Sequence, residues 1–128
     1  MFRLLIAVVI AMTSACASDA NENPFEVEAI ADFDEPWAMA FLPDGRLLVT
    51  EKKAQLLVVS SRDGSSATVS GVPSVDYGGQ GGFGDVALHP DFADNQQIYL
   101  SYVESGDDNT RGAVVSRATL DLTAGSES

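Results

Sequence analysis

Few side chains in this sequence combine a reactive type with a setting suited to chemistry. Gln80 stands in Gly78-Gly79-Gln80-Gly81-Gly82. Its carboxamide offers two donors and an acceptor, and the flanking glycines let a backbone come close to a ligand. The same stretch also reads as a glycine-rich turn whose glutamine faces water. His89 is the sole histidine and so the default general base. It precedes Pro90-Asp91-Phe92 at the end of an apolar run and lacks the positioned partners of a catalytic site, which makes it a turn or packing histidine. Asp32, Asp34 and Glu35 cluster before Pro36 with no histidine or cysteine to complete a transition-metal site, and read as a solvated face. Asp107-Asp108-Asn109 falls short of the ligand count of a calcium loop. Asp85 reads as a strand aspartate bonded to turn amides, the alternative being one that faces a channel, and Trp37 as a residue that packs between neighbouring sheets, the alternative being one that lines a channel mouth.

The composition narrows the partners. Seven basic against nineteen acidic residues give a net charge of −12 over 128 residues, so a phosphate backbone would be repelled and nucleic acid is excluded as a partner. The glycine-rich stretch does not open a helix inside a βαβ unit, which argues against a nicotinamide dinucleotide. A single cysteine, Cys16, makes no internal disulfide.

The N-terminus has the pattern of an export leader. Arg3 is the only charge in the first eighteen residues, and residues 4–12 form an apolar run too short to span a bilayer. Two cleavage patterns are present. Ala15-Cys16-Ala17 offers the small residues read by a general signal peptidase, while Thr13-Ser14-Ala15-Cys16 is similar to a bacterial lipobox, in which Cys16 becomes the lipidated N-terminus and attaches the protein to a membrane. The expected organisation is a leader over 1–17, a small polar tether over 18–24 and a folded region over 25–128.

The folded region must be built of strands. Phe25, Val27 and Ala29 alternate with Glu26 and Glu28, predicting a strand. Runs at 37–42 and 46–50 flank Pro43-Asp44-Gly45, a hairpin turn in which proline presets φ and glycine supplies the left-handed residue. Further strands are expected at 55–60, 67–70, 83–88, 97–103 and 113–122. No segment after the leader carries a helical period over three turns. Short strands at this spacing predict an all-β sandwich, barrel or propeller. Grouped by fours they make one sheet over 37–70 and most of another over 83–122, the size of propeller blades. About two blades cannot close a ring, so the sequence reads as the N-terminal part of a longer protein.

The stretch Pro36-Trp37-Ala38-Met39-Ala40-Phe41-Leu42-Pro43-Asp44-Gly45-Arg46-Leu47-Leu48-Val49-Thr50-Glu51-Lys52, then Gly71-Val72-Pro73, then Gly79-Gln80-Gly81-Gly82-Phe83-Gly84-Asp85-Val86-Ala87-Leu88-His89-Pro90-Asp91-Phe92, then Ile98-Tyr99-Leu100-Ser101-Tyr102 resembles the opening of the soluble glucose/sorbosone dehydrogenases. The resemblance runs from about Ile30 to Leu122. It implies a six-bladed β-propeller that oxidises an aldose sugar with pyrroloquinoline quinone (PQQ) and calcium in the bacterial periplasm. In that family a histidine takes the anomeric hydroxyl proton and hydride passes to the quinone. The histidine, the cationic cofactor residues and the calcium ligands lie beyond this sequence, so no catalytic residue and no metal ligand is assigned here, and this stretch alone is expected to be inactive. Gln80 alone carries over, as a residue at the cofactor and sugar end of the channel. The sequence departs from the family pattern at Gly84, where leucine is usual, which predicts a loosened strand. The other reading is an exported, non-catalytic propeller module that binds sugar or protein. No residue here selects among sugars or electron acceptors.

Overall fold

The computed structural model describes residues 24–123; the expected leader, Cys16 and all but the last residue of the tether lie outside the described residues. Two antiparallel sheets carry the fold. The first has the order β1-β2-β3-β4, with β1 Pro36–Phe41, β2 Leu47–Glu51, β3 Gln55–Val59 and β4 Ser66–Thr68. The second has the order β5-β6-β7, with β5 Phe83–Leu88, β6 Gln97–Ser105 and β7 Arg111–Thr119. Successive strands pair through short turns, as expected for propeller blades. The second sheet holds three strands among the described residues, the three expected over 83–122.

Turn chemistry sets the first hairpin. Gly45 takes φ +88°, the Leu42 N–H donates to the Arg46 carbonyl at 2.8 Å, and the Asp44 carboxylate accepts the Arg46 N–H at 3.0 Å. Register then sorts the side chains onto two faces. Ala40 pairs with Leu48 and Leu48 with Val58 on the face toward the second sheet. There Leu42, Leu48 and Leu56 meet Phe83, Val86, Ile98, Leu100 and Tyr102 in one core. On the other face Val49, Leu57 and Val59 are covered by Ala31 and Phe33.

That cover corrects the first expected strand. Residues 25–29 form no strand, and Phe25 and Val27 are exposed. Alternation alone does not make a strand when no neighbouring edge accepts its hydrogen bonds. The chain instead runs from Ile30 as a strap over the first sheet. It is so close to the turn after β3 that a Cβ on Gly64 would collide with the Ile30 carbonyl. Its far end is held by the buried Glu51, whose Oε1 accepts the Asp34 N–H at 2.8 Å.

Gly84 lies where its strand is irregular. The β5–β6 register shifts between Phe83 and Val86, a bulge, and the Ser101 hydroxyl occupies the space a side chain at 84 would take. A Cβ there would stand 2.7 Å from Ser101 Oγ, which instead accepts the Asp85 N–H at 2.8 Å. The fully buried Thr50 donates its hydroxyl to the Gly84 carbonyl at 2.7 Å, tying the two sheets together. A four-residue helix, α1 Phe92–Asn95, follows β5. It is too short to leave a helical period in the sequence. Trp37 is 56% exposed on β1, beside the exposed Met39 and Phe41.

Candidate functional site

Strand direction gathers the chemistry-bearing loops at one end of both sheets. The start of β1, the turn 52–54 between β2 and β3, the loop 76–82 before β5 and the start of β7 all meet there. The opposite end carries the turns at 43–45, 60–65 and 89–96.

Gln80 lies at the tip of a two-residue turn at the first of these ends. The Gly81 N–H donates to the Gly78 carbonyl at 2.8 Å, and the Gly78 N–H returns the bond at 3.4 Å. Gly79 takes φ +55°, where a side chain would be strained. The Gln80 side chain is exposed.

Two cations from different sheets hold this turn. Lys52 Nζ donates to the Gly79 carbonyl at 2.6 Å. The Arg111 guanidinium donates to the carbonyls of Asp76 at 2.8 Å and Gly78 at 3.4 Å and pairs with the Asp76 carboxylate at 3.0 Å. The glycines serve these contacts. A Cβ on Gly81 would stand 2.5 Å from Arg111 Nη2, and one on Gly82 2.6 Å from the Lys52 carbonyl. Gly79 has open space around it.

A second set of contacts braces the loop from the strap. The Tyr77 hydroxyl donates to Glu35 Oε2 at 2.7 Å, and Lys53 lies 2.9 Å from Asp34 and 3.5 Å from Glu35. The Tyr77 hydroxyl, with help from Lys53, lowers the Glu35 pKa; the Glu35 carboxylate in turn raises that of Tyr77, and Asp34 raises that of Lys53. Asp76 is lowered by the Ser105 hydroxyl, 2.7 Å away, and then by Arg111. These groups are solvent-facing, so the shifts mark geometry more than stability. Asp34 and Glu35, read from the sequence as a solvated face, are therefore an anchor for the loop.

The remaining candidates stand apart. His89 Nδ1 accepts the Asp91 N–H and meets the Asn95 amide, both at 3.0 Å, and its ring stacks on Tyr99. It organises the turn at the opposite end from Gln80. Asp85 Oδ1 accepts the Val86 N–H at 2.9 Å. Asp107-Asp108-Asn109 is an exposed turn. Among the described residues no three acidic, histidine or cysteine side chains stand close enough to hold a metal ion, so these residues do not fit a calcium site. A cleft of about 390 Å³ between β4 and the end of β7 holds none of the residues singled out above. Lys52 and Arg111 were missed in the sequence. Their trace is that a chain with only seven basic residues places three of them, Lys52, Lys53 and Arg111, around one glycine-rich loop.

Most of the chain matches known proteins. Residues 33–127 match the family described as Glucose / Sorbosone dehydrogenase. The chain is 42% identical over 118 residues to the aldose sugar dehydrogenase YliI of Escherichia coli (strain K12), covering 91% of this chain and 31% of that protein. It thus spans about a third of that relative's length. The crystal structure of the apo soluble aldose sugar dehydrogenase from Escherichia coli superposes with a TM-score of 0.72 at 44% identity, over 77% of this chain and 29% of that one. The PQQ-bound aldose sugar dehydrogenase from Streptomyces coelicolor gives a TM-score of 0.70 at 28% identity, over 77% and 29%.

Proposed function

The chain belongs to the glucose/sorbosone dehydrogenase family, and on that premise we propose that the protein it forms part of oxidises an aldose sugar with PQQ as electron acceptor. The observation that carries this reading is the family match itself, which spans both sheets and the Gln80 turn. A relative of the same fold holds PQQ, which supports the choice of cofactor.

The described residues fit one border of a PQQ site. Gln80 projects from an open turn at the loop-bearing end, where its amide would donate to a quinone oxygen or a sugar hydroxyl. When bound, the quinone accepts the two electrons and proton that no side chain can take up reversibly. Gly79, open to its surroundings, lets a ligand reach the backbone beside Gln80. Lys52 and Arg111 already donate to backbone carbonyls and act on the turn. His89 is not the base in this reading, because its Nδ1 is committed within its own turn. The base and the calcium ligands belong to other parts of the protein, and aldose oxidation is not expected from residues 1–128 alone.

Dye-coupled oxidation of aldoses by a full-length protein carrying this sequence tests the proposal. Turnover that depends on added PQQ is expected; its absence would overturn the reading, and sugar binding without turnover would favour a non-catalytic module instead. The leader pattern and Cys16 support export to the periplasm with a lipid anchor. Metabolic palmitate labelling that disappears in Cys16→Ser is the expected result, and an unlabelled wild type with ordinary cleavage would overturn the anchor.

A further inference from the structure

We propose that Arg111 and Lys52 are positioning residues that fix the Gln80 turn, so that the Gln80 N–H and carboxamide present a paired donor to one ligand oxygen; the inference rests on the ligand-facing reading of Gln80. A trans peptide places its C=O and N–H on opposite sides, and the described chain contains no cis peptide. The Gly79 carbonyl is drawn to Lys52 Nζ at 2.6 Å, so the Gln80 N–H of the same peptide unit points away from Lys52. Arg111 does the same one and three units back, gripping the Gly78 and Asp76 carbonyls at 3.4 and 2.8 Å.

The two cations approach from separate sheets, Lys52 just after β2 and Arg111 at the start of β7. The turn's own hairpin bonds are therefore supplemented by a frame set by both sheets. Gly81 and Gly82 are required for that grip, because side chains there would displace Arg111 and Lys52. Gly79 faces open space, and this is the side left for a ligand. The glycines thus divide into two that admit cations from within and one that admits a ligand from outside. A ligand with an acceptor oxygen fits: a sugar hydroxyl, a quinone carbonyl or a carboxylate.

The test is a double-mutant cycle in the full-length protein, with PQQ affinity and the kcat and KM for aldose measured together. Gln80→Ala is expected to raise either the PQQ Kd or the aldose KM by about three- to tenfold, the worth of one hydrogen bond. Lys52→Met and Arg111→Met are each expected to raise that same constant by a similar factor, to lose most of the effect in the Gln80→Ala background, and to recover in part with Arg111→Lys. Fully additive effects, or a change in melting temperature alone, overturn the proposal. Hydrogen exchange at the Gly81 amide separates the two claims. If Gln80→Ala changes neither constant, the ligand role of Gln80 fails; unchanged Gly81 exchange in both cation variants overturns the clamp itself.

Discussion

Gly82 is the residue at which two constraints meet. Its φ is +143°, and a Cβ there would stand 2.6 Å from the Lys52 carbonyl and 2.7 Å from Lys52 Cγ. Neither neighbour can retreat easily, because that same carbonyl accepts the Phe83 N–H at 2.9 Å. Gly82→Ala should therefore cost about 1–3 kcal/mol through strain and overpacking. Gly112→Ala, with nothing within reach of its Cβ, should stay within about 0.5 kcal/mol. Thermal denaturation of the two variants checks the contrast, and equal losses would refute it. At this scale the sequence singled out one loop. Gln80 and its glycines stood out by composition, while the reason for Gly81 and Gly82 did not, because Lys52 and Arg111 are distant in the chain and reach the turn only through the pairing of two sheets.

Among the elements, the contact between sheets turns on Thr50. Its hydroxyl donates to the Gly84 carbonyl at 2.7 Å and accepts the Ala38 N–H at 3.1 Å with no exposure to solvent. Thr50→Val keeps the shape and leaves both backbone groups without that partner. The expected cost is about 1–3 kcal/mol, read as a lower urea midpoint with an unchanged slope; an unchanged midpoint would show that Thr50 does not join the sheets. The strands themselves were legible, since Pro43-Asp44-Gly45 and the apolar runs around it encode a hairpin locally. Residues 25–29 misled because alternation reports a face and not a partner. At Gly84 the sequence showed the irregular position but not the atom that fills it, since Ser101 Oγ is supplied by the next strand.

At the scale of the whole molecule, two packed sheets share one core, while an apolar stripe stays on the surface. Trp37, Met39 and Phe41 are 56%, 60% and 66% exposed along the edge strand β1, and Val115 is 72% exposed on the edge strand β7. In a closed ring of blades those faces meet neighbouring blades, as sheet edges are protected by closure. This agrees with a chain that covers about a third of its relatives' length. The proposed chemistry belongs to that larger body, and it makes a single-turnover prediction. Anaerobic addition of one equivalent of aldose to the full-length protein, loaded with PQQ in calcium-containing buffer, should convert the bound quinone to its reduced absorption spectrum in stoichiometric amount. A protein that fails to bind PQQ, or whose bound quinone keeps its oxidised spectrum under saturating aldose, would contradict the account.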